Sequence, residues 1–474
     1  MTIRYISTRG ATLPVSFRQA TMTGLAPDGG LYLPDKLPQL SPSDIADFAF
    51  MRYQECAAHI LGLFTGQDLE QEQLQKIITT AYKPFRHQAI APLHQIDHNH
   101  WILELFHGPT LAFKDFALQV LGGLFETFLA EEKGSSPLES DPMVIVGATS
   151  GDTGSAAIHA LAGREGITIF MLHPEGRISD VQRRQMTTVI APNVHNIAVA
   201  GSFDDCQAMV KQLLNDQEFR SQHRMSVVNS INWARLAAQV VYYFYAAVRL
   251  GAPERKLAFS VPTGNFGDAF AGILAMRMGL PVEAILIATN SNDILYRALR
   301  DGDYSTESLH QTSSPSMDIQ ISSNFERLLF DYFDRDGQKL GQAMSEFDAT
   351  GRLVLDLQRI GDLFPMLCGY RADEDNVAWM MRHIYETTGM VIDPHTAVAC
   401  HAVRQWREEY GQKIPVVTLS TAHAAKFSQN VERFVGKRPP TPAQISGLFD
   451  REERFVKLPN DPEALKALIT KTQS

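Results

Sequence analysis

In the stretch His107-Gly108-Pro109-Thr110-Leu111-Ala112-Phe113-Lys114-Asp115-Phe116, apolar and aromatic residues crowd a lysine, a residue type that normally seeks water. Taken out of water, an ammonium is disfavoured, and the neutral amine becomes available as a nucleophile or Schiff-base former. Lys114 is therefore the candidate catalytic residue. The competing reading is an amphipathic helix that opens at Lys114 and runs to Ala130, with the amine snorkelling past Phe113 and Phe116 into solvent. This segment alone does not choose between them.

A second segment bears on the choice. Val261-Pro262-Thr263-Gly264-Asn265-Phe266-Gly267-Asp268-Ala269-Phe270-Ala271-Gly272 follows an apolar run and precedes a helical pattern, so it reads as strand, glycine turn, helix. Gly264 and Gly267 let the turn bring several N–H groups onto one point at a helix N-terminus, which favours a phosphate. A desolvated lysine and a phosphate pocket together suggest pyridoxal phosphate. A glycine turn by itself also arises for steric reasons. A dinucleotide fold is excluded by spacing: the loop is G-x-x-G rather than G-x-G-x-x-G, and Glu283 precedes the next apolar strand instead of ending it. The P-loop pattern G-x-x-x-x-G-K-[ST] is absent.

These residues need a scaffold, and the chain is long enough to supply one. At 474 residues, two or three domains are expected. With 45% hydrophobic and 20% charged residues it is an ordinary globular composition. The net charge of −10 argues against non-specific binding to nucleic acid or anionic membranes, so anionic substrates need local attraction. Cys56, Cys206, Cys368 and Cys400 lie far apart without a C-x-x-C pair, which fits reduced thiols. Met1 to Tyr5 lacks the apolar core of a secretory signal, and a cytoplasmic location is expected. The apolar stretch Leu236 to Val248 is too short to span a bilayer and reads as a buried helix.

Turn signals and helical patterns (Asp44 to Leu61, Leu69 to Tyr82) predict a mostly helical N-terminal domain over 1–100. Apolar runs then alternate with amphipathic ones, which implies βαβ units and parallel sheets. The expected fold class is α/β: two open, mostly parallel sheets flanked by helices with a cleft between them. The expected divisions are a smaller α/β domain over 101–225, carrying the lysine and S-G-D-T-G segments, and a larger one over 226–474. Asn324 to Phe347 reads as one long helical stretch, Glu132 to Asp141 as a surface excursion, and Asp301 to Met317 as a passive surface loop. No metal site is expected, because His94, His98 and His100 lie in a polar linker without a fourth ligand nearby.

Two more clusters follow strands. Ser150, Thr153 and Ser155 come directly after the strand Met143 to Ala148, where open α/β sheets bind ligands; they can donate to a carboxylate or phosphate, or the segment can merely cap a helix with Asp152. Asn232 and Arg235 sit three apart at a helix head and share a face. Arginine offers a forked donor set suited to phosphate; the alternative is a capping asparagine and an ordinary arginine, though the helix is otherwise apolar.

Taken in order, these segments resemble the threonine synthase family. The resemblance rests on the Lys114 stretch, Ala148-Thr149-Ser150-Gly151-Asp152-Thr153-Gly154-Ser155-Ala156-Ala157, Asn229-Ser230-Ile231-Asn232-Trp233-Ala234-Arg235 and the G-N-F-G-D loop. It extends through Ile321-Ser322-Ser323-Asn324-Phe325-Glu326-Arg327, Asp393-Pro394-His395-Thr396-Ala397-Val398 and Ser420-Thr421-Ala422-His423, and back to Gly29-Gly30-Leu31-Tyr32-Leu33-Pro34. Ala424 departs from the proline the family usually has there, which predicts a looser turn without loss of a reacting group.

The resemblance implies a fold type II pyridoxal-phosphate lyase that turns O-phospho-L-homoserine and water into L-threonine and phosphate. Lys114 would carry the cofactor, with the cofactor phosphate in the loop Gly264, Asn265, Phe266, Gly267 and Asp268. The Thr421 hydroxyl would face the pyridine nitrogen and moderate the electron sink. Ser150, Thr153 and Ser155 would meet the substrate carboxylate or the cofactor face, and Asn232 and Arg235 would hold the leaving phosphate. His395 and His423 have matching surroundings but no role from the residues alone. No protein partner is required by this reading. A phospholyase of the same fold that releases 2-oxobutyrate stays open, as does a non-catalytic homologue, which should have lost Lys114 or the G-N-F-G-D loop.

Overall fold

Continuous apolar runs such as Leu257–Pro262 and Met143–Ala148 form strands buried on both faces, as parallel sheets covered by helices require. The computed structural model describes residues 3–132 and 142–473, so most of the expected excursion over 132–141 lies outside the described residues. One sheet has six strands in the order Leu367–Arg371, Val282–Thr289, Leu257–Pro262, Val416–Ser420, His100–Glu104 and Leu93–Asp97. Its neighbours are parallel except the last pair, which is antiparallel. The other has five parallel strands in the order Val456–Pro459, Val194–Ala200, Ile167–Pro174, Met143–Ala148 and Met225–Val227.

Sheet membership does not follow the expected divisions at 100 and 225. His100–Glu104 lies in the six-stranded sheet with strands from beyond residue 250, and the chain returns to the five-stranded sheet at Val456–Pro459. Parallel neighbours are joined by crossovers, so adjacency in a sheet is free of adjacency in sequence. Nor does the N-terminal segment keep a core of its own. Its helices and the short ladder of Tyr5–Ser7 with Tyr32–Pro34 pack onto the central helix Trp233–Arg249, with Tyr5 against Trp233 at 5.7 Å and Tyr53 against Tyr245 at 5.0 Å between ring centroids. That helix is buried from Trp233 to Val248, as one apolar on all sides should be.

The stretch expected as one helix over 324–347 is two, Phe325–Tyr332 and Gly337–Thr350. Asp334 and Arg335 adopt positive φ between them, and the Asp336 carboxylate caps the second helix by accepting from the Gln338 and Lys339 N–H groups at 3.0 and 3.1 Å. Polar residues competing for local backbone groups ended the helix where apolar periodicity continued.

Arg327 is a hub of this fold. Its buried guanidinium donates to the Tyr32 carbonyl at 3.0 and 2.9 Å, to the Ile231 carbonyl at 2.6 Å and to Asn324. It thereby ties the N-terminal ladder to the head of the central helix and to the turn that supports the glycine loop. Arg327→Met should leave these carbonyls unsatisfied and lower stability by about 3 kcal/mol. Thermal denaturation checks this; an unchanged melting temperature would show that the hub is dispensable.

Candidate active site

The turn that presents Lys114 is built as an extra strand. The Phe113 N–H donates to the Thr421 carbonyl at 2.9 Å, the His423 N–H to the Leu111 carbonyl at 3.0 Å, and Ala112 bridges Ala422. Buried Asp115 accepts from the Thr110 N–H at 2.8 Å and its hydroxyl at 2.7 Å, closing the entry to helix Lys114–Glu132. Gly108 is required here, since a Cβ would lie 2.4 Å from Asp115 Oδ2. Lys114 thus opens a helix and also points into the cleft between the sheets, its side chain only 13% exposed.

Asp152, at the start of helix Asp152–Leu161, faces Lys114 from the other sheet, with Oδ2 3.7 Å from Nζ. Burial lowers the proton affinity of the Lys114 amine, Asp152 raises it, and the positive charges of Lys426 and Arg235 lower it again, for a net shift downward. A neutral amine is the nucleophilic form.

The glycine loop closes the opposite wall. Phe266 takes a left-handed conformation (φ 61°), its ring held edge-on by Phe325 at 5.3 Å. Ser322 Oγ donates to the Gly264 carbonyl at 2.7 Å, and the Asn324 amide donates to the Asn265 carbonyl at 2.9 Å. With carbonyls turned outward, the first N–H groups of helix Gly267–Arg277, unpartnered within the helix, face the cleft. A Cβ on Gly264 would lie 2.8 Å from the Ser316 carbonyl oxygen, so the close approach requires glycine.

Arg235 lies on the same cleft wall. Its guanidinium is buried, yet Nε and Nη1 have no hydrogen-bond partner among the described residues, and burial pulls its pKa down to about 10. A buried forked cation without an acceptor calls for an anion. Asp268 accepts from the Tyr242 and Tyr243 hydroxyls through Oδ1, and its Oδ2 has no partner among the described residues.

Three family models tile the sequence: Threonine synthase N terminus over residues 4–82, Pyridoxal-phosphate dependent enzyme over 84–349, and Threonine synthase, C-terminal over 396–469. A threonine synthase of Pseudomonas aeruginosa is 46% identical over 469 residues, covering 99% of this chain and 98% of the relative. One of Schizosaccharomyces pombe is 40% identical, covering 100% and 98%. The chain belongs to the threonine synthase family. The structure of pyridoxal-phosphate-bound threonine synthase from Brucella melitensis superposes with a TM-score of 0.95 at 44% identity over both whole chains. The yeast threonine synthase structure gives 0.93 at 38%, covering 99% and 98%. This chain is accordingly a pyridoxal-phosphate-dependent lyase of fold type II. Its residues fit the cofactor: a desolvated amine, a glycine loop packed too closely against Ser316 to carry a side chain at Gly264, and a buried cation without a partner among the described residues share one cleft.

Of the residues singled out from sequence, Lys114, Gly264, Asn265, Phe266, Gly267, Asp268, Thr421, Thr153 and Arg235 all line this threonine synthase cleft. Three others are directed elsewhere. Ser150 is exposed and outside the lining, and Ser155 is buried with its hydroxyl donating to the Asp152 carbonyl at 3.1 Å. Asn232 does not join Arg235: it caps the Ala234 N–H at 3.0 Å and donates to the Thr21 carbonyl at 2.8 Å. Polar side chains at a helix start satisfy the nearest backbone first. The turn cap expected from Asp152 falls to Thr149 instead, whose hydroxyl accepts from the Gly151 and Gly154 N–H groups at 2.9 and 2.8 Å.

The expected passive loop ends at the site, where Ser316 and Met317 line the cleft. The Ser316 N–H donates to His395 Nε2 at 3.2 Å, and His395 Nδ1 meets buried Asp393 at 2.6 Å, which places the ring proton on Nδ1. Lys426 was passed over although it lies three residues beyond the T-A-H triplet. The turn at Ala424 is not loose, because His423 Nδ1 accepts from the Ala425 N–H at 3.1 Å.

Burial pushes the Asp268 carboxyl up to about 7, although both tyrosines and Lys114 pull it down. Stability from its neutral form is present in full below the ordinary carboxylate range and is lost as pH rises through that value. Without cofactor, Asp268→Asn should therefore gain in melting temperature over the parent between about pH 5 and about pH 8. A difference that stays constant across this window would contradict the raised affinity.

Proposed function

We propose that the chain converts O-phospho-L-homoserine and water to L-threonine and phosphate, with Lys114 as the cofactor-bearing and proton-moving residue. The observation that carries this reading is the buried Arg235 guanidinium, whose Nε and Nη1 have no acceptor among the described residues, in the same cleft as Lys114. The site can take a second anionic group besides the one suited to the glycine loop.

Pyridoxal phosphate, when bound, supplies the electron sink for charge developing beside the substrate amine. The chain supplies the rest. Lys114 Nζ takes the proton from substrate Cα and helps remove one at Cβ, so that phosphate departs from Cγ; protons return to Cγ and, once water has added its hydroxyl at Cβ, to Cα. Arg235 donates to the departing phosphate, where negative charge develops. The Thr153 hydroxyl, in the first turn of the helix after strand Met143–Ala148, would donate to the substrate carboxylate; its place in the cleft lining supports this. The Thr421 hydroxyl offers the pyridine nitrogen a neutral partner that does not hold a proton on it. Ligands at the carboxyl ends of parallel strands follow the general rule for open α/β sheets.

We place the enzyme in the cytoplasm and assign it a small-molecule substrate with no nucleic-acid, membrane or protein partner. Its four cysteines are unpaired, and burial raises each thiol to about 11 or 12. Among the described residues no helix is long and apolar enough to cross a membrane.

Incubation with O-phospho-L-homoserine should yield L-threonine and phosphate in equal amounts; 2-oxobutyrate as the main product would make the chain a phospholyase instead. Arg235→Gln should lower kcat/KM by about 100-fold or more while the bound-cofactor absorbance persists. Loss of that absorbance would move Arg235 to the cofactor phosphate.

A further inference from the structure

Behind the cleft wall, against Asp152, lies a second buried lysine that the reaction scheme above does not use. Lys426 sits in the short 3-10 turn Ala424–Phe427, and its side chain is fully buried. Its ammonium lies 2.8 Å from Asp152 Oδ1 and donates to the Thr110 carbonyl at 2.9 Å. Gln182 Nε2 donates to the same Oδ1 at 2.9 Å, and Ser316 Oγ donates to Oδ2 at 3.1 Å. Lys114, at 3.7 Å from Oδ2, is thus the most distant of four donors to one carboxylate. Burial by itself would raise the pKa of Asp152, but Lys426 and then Lys114 hold it well below the usual carboxylate range.

A buried carboxylate beside a buried amine ordinarily favours the ammonium. Were Asp152 left to Lys114 alone, the amine would keep a proton and could not accept one from substrate. Lys426 changes that balance by closing the ion pair with Asp152 at hydrogen-bond distance. The other charged or titratable groups bearing on Lys114 are Arg235 from the central helix, Asp268 from the glycine-loop helix and His395, which lines the same cleft. Lys426, by contrast, contacts Asp152 directly.

We propose that Lys426 is a positioning residue: by pairing with Asp152 it orients that carboxylate toward Lys114 while cancelling its charge, so that the Lys114 nitrogen is fixed in place yet free to accept a proton. The pair also spans the cleft, since Asp152 follows a strand of the five-stranded sheet and Lys426 follows a strand of the six-stranded sheet. This rests on the assignment of Lys114 as the cofactor-bearing residue.

The test is a pH titration of bound-cofactor absorbance in the holoenzyme, paired with the pH profile of kcat. Lys426→Met should move the midpoint and the acidic limb of kcat upward by about one pH unit or more, and Lys426→Arg should leave both within about half a unit. An unmoved midpoint in a folded, cofactor-replete Lys426→Met protein would overturn the proposal. Should that variant fail to fold, Asp152→Asn is compared with Asp152→Asn/Lys426→Met. The single change should lower the midpoint and the double change restore it, and equal midpoints count against the proposal. A cofactor absorbance that survives Lys114→Ala would instead sink the parent assignment, whatever Lys426 does.

Discussion

The structure depends on keeping one amine out of water at the seam between two sheets. A lysine so placed is unstable as a cation unless countercharge is supplied, and inert as a nucleophile if too much is supplied. Both demands are met by contacts from distant parts of the chain. The turn before Lys114 is stitched to residues 421–423, which fixes the direction of the side chain. Asp152 approaches from the other sheet, and Lys426 takes up most of its charge.

The remaining architecture holds these pieces in register. Parallel strands end on the same side of each sheet, so the loops after Ala148, Pro262 and Ser420 converge without further design. The central helix carries Arg235 into the cleft at the cost of burying a charge, which is tolerable only if an anion arrives to meet it. The glycine loop is steadied from outside by Ser322 and Asn324, and Asn324 is itself held by Arg327. Through Arg327 the N-terminal ladder reaches the cofactor cradle without touching it.

Much of this was legible in the sequence because it is local. Lys114 among aromatics, the strand–turn–helix around Gly264 and the late strand before Thr421 each announce themselves within a dozen residues. What was hidden depends on contacts across the chain: Lys426 with Asp152 spans more than half its length, and Ser316 reaches His395 over 79 positions. Ser155 and Asn232 turn to the backbone for a different reason. Residue type identified them as donors, but at a helix start the backbone competes for the same groups, and it won at both positions. Sheet membership cuts across the expected domain divisions because crossover connections let a sheet collect strands from both ends of the sequence.

The central claim is that the nitrogen at position 114, and not its buried neighbour at 426, is joined to the cofactor. Borohydride reduction of the purified protein followed by peptide mapping decides between them. The account predicts a single pyridoxyl label on the peptide containing Lys114, with loss of visible absorbance. A label on the Lys426 peptide, or no label on Lys114 despite bound cofactor, would contradict it.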